Sequence, residues 1–208
     1  MVISTTLSKK TLNKIYLQGN SMAEIANKYN CSINRIVYWM NKYNIKRRSN
    51  SDAAYIKQNP NGDPFKIKNN LNLKEQQLFG LGIGIYWGEG DKTNPHSSRV
   101  ANTDPRLIKV FIRFLKKICQ LENRKIRYSI VCFNDSNTDE CKSYWAKQLG
   151  ISTNKFGKIV QIPSQGKGTY KRKSKYGVCT VSATNVKLKK WIMKQIYMIS
   201  PVSSTAEQ

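Results

Sequence analysis

The chain of 208 residues reads as an α+β protein. An all-helical N-terminal domain is followed by a domain in which helices cover one face of an antiparallel sheet. Three observations predict this. Residues 7–46 place their apolar side chains at helical spacing between short polar turns. Residues 49–73 are rich in Asn, Ser, Pro, Gly and Asp, the composition of a linker. Beyond them, helix-spaced segments alternate with short period-two stretches, in the order helix, strand, helix, strand, helix, two strands, helix. The boundaries expected are residues 1–48 for the first domain, 49–73 for the linker, 74–200 for the second domain and 201–208 for a disordered tail.

Within the first domain, residues 9–18 carry Leu12, Ile15 and Tyr16 on one side and stop at Gly19. Ser21 caps a second helix, and Glu24, three residues on, completes a capping box. Met22, Ile25 and Ala26 point inward from it. Tyr29, Asn30 and Cys31 make a turn, Ser32 caps again, and residues 33–43 form a third helix with Ile36, Val37 and Met40 inward. Two short helices, a tight turn and a third helix resemble a helix-turn-helix module. That resemblance implies that Asn34, Arg35 and Tyr38 face a DNA major groove from the start of the third helix. Lys46, Arg47 and Arg48 would then meet phosphates or enter a minor groove. A short helical extension over 52–57 precedes the breaker cluster at 59–64.

The second domain is organised around residues 78–92, LFGLGIGIYWGEGDK, five of which are glycine. Glycine inside a helix costs about 1 kcal/mol relative to alanine. Repeating that cost needs a close approach to the backbone. Gly80, Gly84 and Gly88 recur every fourth residue, so they share one face, where a second helix can pack closely. Glu89 lies at the end of this helix, where the helix dipole disfavours a carboxylate. An acid in that position, beside glycines, points to a metal or a catalytic task.

These residues resemble the LAGLIDADG motif, aligned without gaps on 82–90. The motif's internal glycine falls on Gly84, its following leucine on Ile85, its small seventh residue on Gly88, its metal-binding acid on Glu89 and its last glycine on Gly90. Gly82 stands where the motif opens with leucine, and Trp87 replaces its first acid.

After a turn at 91–95, residues 99–102 form a short strand. Asp104 and Pro105 then open an amphipathic helix with Leu107, Ile108, Phe111, Phe114, Leu115 and Ile118 on one face. Residues 125–133 alternate, with Ile126, Tyr128, Ile130 and Cys132 on one side and basic residues, Arg127 among them, on the other. Such an open basic face is a plausible nucleic-acid surface. Thr138 caps a helix that runs to Leu149 and ends at Gly150. Two strands follow, over 156–162 and 176–182. The segment between them reads as a long hairpin tip whose Lys167, Lys171, Arg172, Lys173 and Lys175 can track phosphates. A closing helix over 186–199 turns Leu188, Trp191, Ile192 and Ile196 inward.

The totals narrow the partner. Lys and Arg number 36 against 12 Asp and Glu, a net charge of +24. That surplus points to a polyanion, of which nucleic acid is the commonest. No apolar run approaches the roughly 18–20 residues that span a bilayer, and the first residues show no signal-peptide core. The expected setting is cytoplasmic and nucleoid-associated, not secreted, with no membrane partner. Five scattered cysteines without a C-x-x-C argue for a reducing compartment and against a disulfide framework or zinc. With His96 as the single histidine, and that in a loop, catalysis must rest on carboxylates, lysines or metal.

The LAGLIDADG resemblance implies a saddle-shaped sheet lying across double-stranded DNA. It implies that two chains pair along Gly80, Gly84 and Gly88, each bringing one Glu89 to the two-fold axis. Glu89 would hold Mg²⁺, which takes one or two carboxylates plus phosphate oxygens and water. Lys92 is the candidate for stabilising phosphate, and Asp91 is either a second acid or a turn residue. The implied activity is that of a homodimeric, Mg²⁺-dependent DNA endonuclease of the homing type, with no small-molecule substrate. Only a short turn follows Glu89, in place of the family's long base-reading hairpin. This keeps open a second reading: a transcription regulator on the same scaffold that binds DNA without cutting it.

Overall fold

A computed structural model of the chain describes residues 7–163 and 174–199. It divides into two compact units, Met1–Asp63 and Pro64–Gln208, each with its own apolar core.

The first unit contains helices α1 (Lys9–Leu17), α2 (Met22–Lys28), α3 (Ile33–Lys42) and α4 (Asn50–Gln58). Ser8, Ser21, Ser32 and Ser49 cap them in turn, and the Ser21–Glu24 capping box is present. Asn30, at a φ of 46°, turns the chain between α2 and α3. Leu12, Ile15, Tyr16, Ile25, Ile36 and Met40 make the core. Trp39 joins them, whereas Val37 is only half-buried.

The expected linker is not one. Its first part is α4, where a short helical extension was expected, and its last part is built into the second unit, where Phe65, Ile67 and Leu71 pack on the core. Backbone bonds from Lys66 to the Cys119 carbonyl (3.0 Å) and from Lys68 to that of Ile118 (2.8 Å) fix it there. Two alternating apolar residues suffice for this, and the surrounding Asn, Pro and Gly mask them in the sequence. Residues 201–208, expected as a tail, lie outside the described residues.

The second unit runs α5 (Leu73–Glu89), β1 (Ser97–Asn102), α6 (Pro105–Lys117), β2 (Ile126–Phe133), α7 (Thr138–Leu149), β3 (Val160–Ile162), β4 (Val178–Thr184) and α8 (Val186–Ile199). The class is therefore α+β. The four strands lie in the order β1-β4-β2-β3. β4 is antiparallel to both β1 and β2, but β3 runs parallel to β2. The sheet is thus mixed rather than antiparallel throughout.

The expected hairpin is also absent, because β2 separates β3 from β4. β4 buries Cys179, Thr180, Val181 and Ala183 in one short run, the pattern of a central strand. β3, three exposed residues long, stays at the edge.

Asn72 caps α5, and Glu75 completes a capping box with it. Asn137, not Thr138, caps α7, which ends at Gly150 with φ 64°. An aromatic column ties α5, α6 and α8 together. Its successive ring separations are 6.0 Å for Tyr86–Phe111, 6.0 Å for Phe111–Phe114, 6.4 Å for Phe114–Trp191 and 6.2 Å for Trp191–Phe79. All five cysteines are free thiols. Among the described residues no helix is long and apolar enough to cross a membrane.

Candidate nucleic-acid interface

The C-terminal end of α5 brings several polar groups together. Glu89 is its last residue and is exposed. Gly90 follows, and a Cβ there would stand 2.3 Å from the Tyr86 carbonyl oxygen, so only glycine lets the chain leave the helix this way. The Lys92 ammonium donates to the Gly88 carbonyl at 3.4 Å, a long bond at the end of the helix where the dipole favours a cation. Lys92 thus reaches back to the end of α5, three residues after Glu89.

Asp91 is a turn residue. Its Oδ1 accepts from the Thr93 hydroxyl (2.8 Å), the Thr93 backbone N–H (3.0 Å) and the Asn94 N–H (3.2 Å). Those bonds, the Thr93 hydroxyl foremost, hold its carboxyl below the usual range. His96 is exposed in the same loop.

Lys189 escaped sequence reasoning. It is buried, and its ammonium donates to the Tyr86 hydroxyl and to the Asp91 carbonyl, both at 2.5 Å. Tyr86 donates in turn to the Asp91 carbonyl at 2.6 Å. Burial lowers the pKa of the Lys189 ammonium. Burial, helped by the Asp91 charge, pushes the Tyr86 phenol up to about 12. The available signal was spacing, since Lys189 shares the inward face of α8 with Ile192 and Ile196.

No group of three or more His, Cys, Asp or Glu among the described residues is arranged to hold a metal ion. The donor present at the end of α5 is a single carboxylate, so a cation there would have to draw most of its ligands from elsewhere. Glu89 offers one exposed carboxylate, and Mg²⁺ completes its shell with phosphate oxygens and water.

Gly80, Gly84 and Gly88 are exposed, and a Cβ on any of them would meet nothing within 4 Å. Leu81 (58% exposed) and Trp87 (48%) lie on the same side of α5. Among the described residues nothing covers this face. The glycine that packs internally is Gly82, where a Cβ would fall 2.2 Å from the Phe114 ring.

The sheet buries one face and leaves the other open, as the alternating burial along β1 and β2 shows. Pairing registers set the open face in rows. Arg99, Ser182 and Arg127 form the first and Ala101, Thr180 and Ser129 the second. Val178, Val131 and Val160 form the third, with Phe133 opposite Ile162 beyond. Arg127 is exposed and donates to the Arg124 carbonyl at 2.6 Å. Arg99, a second exposed cation in that row, was legible only as an outward position of β1. Lys175 is exposed, with its ammonium 5.2 Å from the Tyr176 ring centre. Lys167, Lys171, Arg172 and Lys173 lie outside the described residues.

In the first unit, Asn34 and Tyr38 are exposed on α3, and the Arg35 guanidinium lies 5.0 Å from the Trp39 ring centre. Arg47 is exposed. Arg48 is turned inward: it stacks 3.9 Å over the Tyr16 ring and donates to the carbonyls of Gly19 and Asn20. These bonds engage its guanidinium within the unit, which weighs against the expected phosphate contact. Comparisons of the chain with protein-family profiles, curated proteins and solved structures found no match.

Proposed function

We propose that the protein binds double-stranded DNA through α3 and the open face of the sheet. Two chains paired along the uncovered face of α5 would then cut the DNA at Glu89 with Mg²⁺. The observation that carries the cutting step is the placement of Glu89: an exposed carboxylate three residues before Lys92, ending a helix whose glycine face is uncovered among the described residues. When bound, Mg²⁺ supplies Lewis-acid activation of water and phosphate. Glu89 would hold the cation, and Lys92 would place positive charge against the phosphate oxygens, where negative charge grows in the transition state. Arg99 and Arg127 neutralise backbone phosphates and orient the duplex on the sheet. Lys189 acts through others: it fixes the end of α5 to the loop that carries Lys92.

One observation favours the regulator reading. A short turn over residues 90–96 is all that separates α5 from β1, in place of a long base-reading hairpin. Incubation of supercoiled DNA with the protein, with and without Mg²⁺, separates the two. Cleavage that needs Mg²⁺ and is lost in Glu89→Gln, with binding intact, is the result expected of the nuclease. Binding without cleavage, equal in both proteins, leaves the regulator.

A further inference from the structure

A groove of about 550 Å³ lies in the second unit between the outer flank of α8 and the loop 92–95. Its size falls within the range of ligand clefts, roughly 300–1,000 Å³. Pro95, Met193, Tyr197 and Met198 supply its apolar surface, and Lys92, Lys190 and Lys194 its charge. No acid lines it. Tyr197 is 59% exposed and Met198 67%, so both present large apolar faces to solvent.

Apolar area of this kind does nothing for a duplex, whose bases are stacked inside and whose outer edge is phosphate. It suits unpaired bases, which stack on aromatic and thioether surfaces while cations track the backbone. A second copy of this chain would bring lysines against lysines. An acidic peptide would satisfy the charges, but one feature favours nucleic acid. Lys92 belongs both to this groove and to the end of α5, where it donates to Gly88 beside Glu89. A strand held at Glu89 would meet Lys92 at the edge of the groove.

We infer that the groove binds an unpaired strand of nucleic acid, with Tyr197 stacking on a base and Lys92, Lys190 and Lys194 on the flanking phosphates. The inference rests on the proposed reading in one respect, that the partner is DNA. It adds a single-strand site beside the duplex surface.

The test is fluorescence anisotropy with a labelled oligothymidine of about twelve nucleotides, within the span of known single-strand sites, beside a labelled duplex. Tyr197→Ala is expected to weaken oligothymidine binding about tenfold, the worth of one stacked base, without changing its salt dependence. The double variant Lys190→Gln, Lys194→Gln is expected to flatten the slope of log K against log salt by about 1.4, at roughly 0.7 per phosphate contact. Neither should change duplex binding.

The inference is overturned if Tyr197→Ala leaves oligothymidine binding unchanged. It is equally overturned if the variants weaken duplex and single strand alike. A third contrary result is a Glu/Leu helical peptide that binds this groove while oligothymidine does not. Duplex binding and cleavage that survive any of these results leave the proposed function standing. Oligothymidine binding that responds to Tyr197 in a protein with no affinity for duplex would sink the proposed function alone.

Discussion

Arg47 and Arg48 are adjacent in the chain and have opposite surroundings. Arg47 is exposed. Arg48 covers Tyr16 and bonds two carbonyls at the end of α1, and its own N–H donates to the Tyr16 hydroxyl at 2.9 Å. Replacing Arg48 by alanine should lower the stability of the first unit by about 1–3 kcal/mol, since hydrogen bonds to charged groups are lost; urea unfolding measures this. Arg47→Ala should leave stability within about 0.5 kcal/mol and flatten the salt dependence of duplex binding by roughly 0.9. In the sequence the two arginines read as one basic tail, because nothing within a few residues marks Tyr16 as a partner.

Tyr86 makes a pH prediction of definite sign. Its phenol titrates near 12 in the fold against an ordinary 10.0, so the folded state holds this proton more tightly than the unfolded one. The stability it contributes is complete below about pH 10 and is lost as pH climbs towards 12. Lys189 acts in the opposite sense: its ammonium is disfavoured by burial, and that penalty lifts as pH approaches its ordinary 10.5. Unfolding free energy should therefore fall more steeply between pH 10 and 12 in the native protein than in Tyr86→Phe, measured by urea unfolding across that range.

At the scale of elements, α5 presents two glycine surfaces with different roles. Gly82 meets Phe114 of its own chain, and Gly84 meets nothing among the described residues. Gly82→Ala should cost about 1–3 kcal/mol through overpacking. Gly84→Leu places its Cβ in open space among the described residues but fills the face on which a second copy would sit. Sedimentation equilibrium is expected to show a dimer that the Gly84→Leu variant converts to monomer. A variant that sediments like the native protein would remove the pairing from the proposed function. The glycines and their four-residue spacing were plain in the sequence, but which of them touches Phe114 depends on how α6 lies against α5. The sheet gives the same lesson. The strands after α7 were recognisable from their alternation, yet β4 pairs with β1 and β2 rather than with its predecessor β3.

For the whole molecule, two separate cores imply two separable unfolding events. Ile36→Ala should lower the stability of the first unit alone, by about 2–5 kcal/mol. Phe111→Ala should lower that of the second alone, by about 3–5 kcal/mol. Calorimetry in which either substitution shifts every transition equally would contradict this independence.

The order of helices and strands, most of the caps and the net charge of +24 were determined by the sequence alone. Capping and periodicity act over a few residues, and net charge needs no fold at all. The neighbours within the sheet, the joining of Phe65 and Ile67 to the second core, the burial of Lys189 and the inward turn of Arg48 were decided only by tertiary structure. Each depends on groups far apart in the chain, such as Lys189 and Asp91, whose meeting leaves no local mark.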